Sequence, residues 1–151
     1  MKRASSCTLV VACLSLAVAG ASTQAWSQPA SSAASPKLDY EFFKAKVQPV
    51  FLAKRSGHAR CVVCHTFNNA PFKVVRLSPG STTWTEEQSR QNFQLVQKVA
   101  QPGFEGSKLV VHPLAEEAGG DPHHGGGQQF GSKDDPEWLT LKAFVLGATL
   151  K

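Results

Sequence analysis

Apolar residues recur at helical spacing in three stretches of the chain. The first begins at Asp39, a good N-cap, and carries Phe43, Val47 and Phe51 on one stripe. Pro49 falls inside it and is expected to kink the helix or start a new turn. The second begins at Thr85, which stands with Gln88 in capping-box spacing, and Glu86 and Glu87 favour the first turn through the helix dipole. Phe93, Val96 and Val99 form its expected inner face, and Pro102-Gly103 ends it. The third has Asp135 as N-cap and Pro136 at its first position, with Trp138, Leu141 and Val145 on one stripe, Phe144 beside it and Gly147 as C-cap. These positions predict an all-α fold whose core includes Phe43, Val47, Phe51, Phe93, Val96, Trp138, Leu141 and Val145.

Between the helices lie two long irregular stretches, Thr66 to Trp84 and Gly103 to Lys133. Loops of that length in a compact domain are usually functional or held by something. A bound apolar group would hold them, and folding is then expected to depend on it.

The N-terminal region has a different pattern. Met1-Lys2-Arg3 is a basic start, Thr8 to Gly20 is an apolar run, and small residues follow, so residues 1–27 read as a secretory signal. Cleavage is expected after Ala21, Ala25 or Ser27. The run is short for a transmembrane helix, which leaves no membrane span in the mature chain. An uncleaved anchor and lipidation at Cys13 are the alternatives. Residues 28–36 are rich in Ser, Ala and Pro and read as a flexible leader, and residues 37–151 as one folded domain.

Composition adds two exclusions. Hydrophobic residues make up 42% and charged residues 18%, which rules out wholesale disorder. The formal net charge is +5, falling to +3 without Lys2 and Arg3, and the basic groups form neither a tract nor a stripe. That excludes nucleic acid as an expected partner and leaves a mildly positive surface for acidic proteins.

Four cysteines are present, but Cys7 and Cys13 lie in the expected signal. The remaining two stand in Cys61-Val62-Val63-Cys64-His65, the spacing of covalent haem attachment. Two thiols one helical turn apart can each add to one haem vinyl group, and the adjacent imidazole then reaches the iron from the same side. His65 is the expected proximal ligand. A redox disulfide and a zinc site are the other readings of such a pair. The first lacks a preceding strand pattern, and the second is poorly served by sequence-adjacent ligands.

The only methionine is Met1, so a methionine sixth ligand is excluded once the signal is removed. Four histidines remain. His124 is the first candidate because Gly125-Gly126-Gly127 follows it and lets backbone approach a flat ligand closely. His112 is second, with Val110 and Val111 before it to line a pocket; His123 is third. His58 comes last, since it lies on the proximal side of the attachment sequence. Arg60 is a candidate partner for a haem propionate. Asp121 and Glu117 are candidate helpers near His124.

The stretch Tyr40 to Gly147 resembles bacterial monohaem cytochrome c domains of the kind abundant in acidobacteria and planctomycetes. The resemblance rests on Val47-Gln48-Pro49-Val50-Phe51, the Cys61 to His65 motif, Arg90-Gln91-Asn92-Phe93, Gly106-Ser107-Lys108-Leu109, His112-Pro113-Leu114, His124-Gly125-Gly126-Gly127 and the Trp138 to Gly147 tail. The tail departs from the usual pattern at Lys142-Ala143-Phe144-Val145, where a Trp-Ile pair is commoner. The resemblance implies a cytochrome c-like fold, His124 as distal ligand and an electron-transfer role beside larger exported oxidoreductases.

The sequence therefore leads to the expectation of a periplasmic or extracellular electron carrier, not an enzyme, with one covalent haem c ligated by two histidines and with redox proteins as partners. A haem-based sensor of gases or other ligands, and a small peroxidase, are the alternatives.

Overall fold

A computed structural model of the chain describes residues 36–67, 70 and 72–151. The expected signal, and all of the expected leader but Pro36, lie outside them. Among the described residues six α-helical segments occur, α1 (Tyr40–Phe42), α2 (Gln48–Leu52), α3 (Cys61–His65), α4 (Glu86–Val96), α5 (Lys108–Val111) and α6 (Pro136–Val145). A π-helical turn, Phe43–Val47, joins α1 to α2, and a 3-10 turn spans Glu116–Ala118. Among the described residues the sheet-like pairing is limited to an isolated parallel bridge, Leu114 with Phe130, and no helix is long and apolar enough to cross a membrane.

Local chemistry explains the helix starts. Asp39 accepts from the backbone of Phe42 at the head of α1. Thr85 and Gln88 close a reciprocal capping box on α4, at 3.2 and 3.0 Å. Asp135 accepts from both Glu137 and Trp138 with Pro136 at the first turn of α6. At the other end Gly147 takes φ +89, with its own N–H on Phe144 and that of Ala148 on Ala143, a Schellman closure. Pro49 leaves the first helical run unbroken. The π turn just before it absorbs the missing donor and the bulk of the ring, so α1, the π turn and α2 run on as one segment.

The core lies where the π turn packs on α4 and α6, with α3 against α2 and α5 against α6. Phe43, Val47, Val96, Trp138, Phe144 and Val145 are almost wholly buried, each stabilising the fold by about 1.5–3 kcal/mol where a large apolar side chain is involved. Phe43, Phe93 and Phe144 form an aromatic triangle with centroids 5.4 to 6.3 Å apart. Phe144 and Val145 of the tail are both fully buried.

One sequence expectation needs correction. Phe93 is only half-buried, at the edge of the core, and Val99 likewise. The buried face of α4 is Ser89, Asn92 and Val96. Each polar member has a partner inside: the Ser89 hydroxyl donates to the Thr85 carbonyl, and Asn92 Oδ1 accepts from the Val75 N–H, while Asn92 Nδ2 has none. A buried polar residue with a partner costs little, so apolar spacing alone rotated the expected face.

Pro36 is held against the domain. A Cβ on Gly147 would stand 2.7 Å from Pro36, and one on Gly103 would stand 3.0 Å from it, so both glycines make room for the ring.

Candidate functional site

Cys61 to His65 form α3. Val62 points into the core and anchors the helix, which turns Val63 and Cys64 outward. Both thiols are free. Cys61 is half-buried, its Sγ 3.6 Å from the Arg55 guanidinium and 4.0 Å from the Val50 carbonyl. Burial pushes its thiol pKa up, and Arg55 opposes that.

His65 is fixed from behind. Its Nδ1 bonds the Phe72 carbonyl at 2.8 Å, and its own carbonyl accepts from Val74 at 2.8 Å. The segment that makes both bonds is itself tied down: Val75 donates to Asn92 at 2.6 Å and accepts from the Trp84 indole at 2.7 Å. A carbonyl oxygen only accepts, so His65 carries its proton on Nδ1 and offers Nε2 to a ligand.

His124 faces it. The two ring centroids are 6.2 Å apart with planes 20° from parallel. His124 Nδ1 bonds the carbonyl of Gly127, so this ring also offers Nε2. The bond needs the chain to double back within three residues, which Gly127 permits at φ +79. Burial pushes the His124 pKa down, against the Gly127 carbonyl, which favours the neutral, ligating form. A metal-bound imidazole nitrogen lies about 2 Å from the metal and about 1 Å from its own ring centre, so two imidazoles on opposite sides of one ion have centroids about 6 Å apart. The observed spacing matches that.

His112 stands beside His124, centroids 4.9 Å apart and planes at 75°. Its Nδ1 bonds Asp121 at 3.0 Å. Asp121 also accepts from Lys108 at 2.5 Å and from the His123 backbone at 3.3 Å. Lys108 first and His112 second hold the carboxyl well below the usual range, so it is ionised and His112 donates to it.

Two cavities meet at these groups, an outer one of ≈ 790 Å³ and an inner one of ≈ 300 Å³. Cys61, His65, His112 and His124 line both. The inner cavity is walled by Phe51, Phe72, Leu109 and Phe130, and the outer one opens past Cys64, Phe67 and Arg60. Volumes of this order suit a cofactor. Among the described residues no three His, Cys, Asp or Glu side chains close on one point, so the site offers a facing pair of imidazoles and not a tetrahedral cage.

The other candidates fall outside this arrangement. His123 is exposed, and its side chain lines neither cavity. His58 lines neither cavity, its Nδ1 3.8 Å from where a Cβ on Gly127 would stand. Arg60 is exposed on the outer rim. Asp121 serves His112 instead of His124, and Glu117 is exposed on the 3-10 turn.

Sequence reasoning missed Arg55, Phe72 and Gln129. Arg55 is nearly buried; it pairs with Glu137 at 2.6 Å, lies 4.8 Å over the Phe130 ring and backs Cys61. Gln129 is buried in the outer wall; its amide donates to the carbonyls of Gly126 and Gly127, and its Oε1 has no partner. No local signal marks either residue. Phe72 acts on His65 through its carbonyl, which any residue would supply.

Comparison of the chain with protein-family models, with curated proteins and with solved structures finds no match.

Proposed function

We propose that this chain is an exported electron-transfer protein carrying one haem c, attached through Cys61 and Cys64 and ligated by His65 and His124. The observation that carries the reading is the 6.2 Å spacing of two imidazoles, one of them adjacent in sequence to a cysteine pair one helical turn apart. Three further features support it. Both rings have Nδ1 engaged by a carbonyl, which leaves Nε2 for metal on each. The paired cavities give an apolar slot on one side of the imidazoles and an open mouth on the other. Cys64 is exposed at that mouth, which suits an edge open to a redox partner.

Haem, when bound, supplies a one-electron couple. The chain does the rest. Cys61 and Cys64 would hold the haem covalently, each through a thioether to one vinyl group. His65 and His124 would hold the iron, and two imidazoles would give a potential below that of a His/Met site. Phe51, Phe72, Leu109 and Phe130 would give the inner half an apolar wall. Residues 1–27 support export to the periplasm or beyond, where thioether attachment is completed.

The test is expression of the full chain in a host with haem c maturation, followed by denaturation and a pyridine haemochrome spectrum. We expect one haem that stays with the polypeptide, and none on the Cys61→Ala, Cys64→Ala protein. Release of all haem on denaturing the unaltered chain would overturn the proposal. A ligand-responsive haem module is the second reading, favoured by the glycine-rich turn that carries His124. Ready CO binding by the ferrous protein would select it over the electron carrier.

A further inference from the structure

We propose that the distal position has two interchangeable donors, His112 taking it when His124 leaves. The inference rests on the haem reading above and deepens it.

The two rings are neighbours, 4.9 Å apart, and both line both cavities. Each has Nδ1 committed to an acceptor, a carbonyl for His124 and, for His112, a carboxylate that Lys108 also pairs with. Each therefore presents a lone pair on Nε2. A histidine kept only for packing has no need of that arrangement twice on one wall.

Their mountings differ. His112 caps α5, with Val111 accepting from Asp121 on one side and Pro113 accepting from Gln129 and Phe130 on the other. His124 heads a glycine turn in which a Cβ on Gly125 would meet nothing within 4 Å and one on Gly126 only atoms at 3.8 Å or beyond. The turn has open space to swing into, and the donor behind it is fixed. Asp121 fixes the orientation of the His112 ring through Nδ1, and Lys108 holds the same carboxylate.

The experiment uses the full chain with haem c attached, as unaltered protein and as His124→Ala, His112→Ala and the double variant. Each is read by ferric electron paramagnetic resonance, ferrous CO binding and the midpoint potential. We expect His124→Ala to remain low-spin with altered g values and a lowered potential, because the replacement ligand bears a carboxylate. Adding Asp121→Asn to His124→Ala raises that potential again, by more than Asp121→Asn shifts the unaltered protein. His112→Ala keeps the unaltered g values, and only the double variant turns high-spin and binds CO. A high-spin His124→Ala, or a high-spin His112→Ala, overturns the inference while leaving the attached haem in place. Failure of the unaltered chain to retain haem overturns the parent reading and this one with it.

Discussion

His65 and His124 face each other across one cavity and are held in opposite ways. His65 ends a helix whose Val62 is in the core, and its ring is clamped by a segment that α4 and Trp84 hold in place. His124 sits on a turn of glycines, tied mainly to its own next residues and to the Gln129 amide. His65, the proposed proximal donor, is thus part of the fold, and His124, the proposed distal donor, is hung on it. Damage to the core should reach His65, whereas the turn around His124 should accept change at little cost to stability.

The distal side is not loose throughout, and the largest effect expected on stability tests where looseness ends. Gly120 lies where its Cβ would stand 2.0 Å from the Leu114 carbonyl oxygen, a backbone atom. Leu114 is fully buried and bridges Phe130. Gly120→Ala therefore has to push the base of the loop apart, and we expect it to destabilise by about 3 kcal/mol or more. Gly125→Ala, five residues on with open space around it, should change stability by less than about 0.5 kcal/mol. Chemical denaturation of the two variants measures the contrast, and equal losses would remove the distinction between base and turn.

The proximal clamp is tested by Asn92→Leu. Its side chain is wholly buried, and its Oδ1 accepts from Val75 at 2.6 Å. Losing it leaves the Val75 N–H without its acceptor, a cost of about 1–3 kcal/mol. The effect should extend to His65, because Val75 follows the residues that grip it. We expect faster exchange of the Val74 and Val75 amide protons alongside the lower stability. A stable variant with unchanged exchange would show that His65 does not depend on α4.

What the sequence made legible follows the same division. The Cys61 to His65 motif, the three helix caps and the glycines after His124 are local patterns, and each acts through residues within a turn of itself. Asn92 and Arg55 act on residues far along the chain, and only the fold brings them there. Asn92 reaches across 17 positions to Val75. Ser89 and Asn92 also misled the reading of α4, since polar residues that find buried partners erase the apolar period. His112 was visible as a histidine, but its carboxylate partner nine positions away was not, because Asp121 reads as an ordinary loop residue.

Gly127→Ala gives a smaller effect that isolates backbone from space. At φ +79 an alanine is strained, yet its Cβ would meet only His58, at 3.8 Å. The cost should be about 1 kcal/mol, the conformational penalty alone. Its carbonyl holds His124 Nδ1, so the distal ring should be disturbed more than the fold. A larger change in CO access than in thermal stability would sharpen the comparison; a drop in stability with the distal ring unmoved would break it.

The smallest effect lies on the proximal side at the head of α4. Glu86 accepts from Lys44, Tyr40 and Arg90, and Lys44 first and Tyr40 second hold its carboxyl below the usual range. A carboxylate with a lowered folded-state pKa contributes stability above its unfolded pKa and loses it as pH falls through the folded value. Lys44, Glu86 and Arg90 are largely open to water and Tyr40 is half-buried, so the contribution is modest and screened by salt. Glu86→Gln should lower the melting temperature slightly near neutral pH, and the gap to the unaltered protein should close on acidification below the ordinary carboxylate range. High salt should narrow it at neutral pH as well. Because Glu86 opens the helix that carries Asn92, a gap that instead widened in acid would mean that the head of α4 is held by the Thr85 capping box alone, with the ion pairs opposing it.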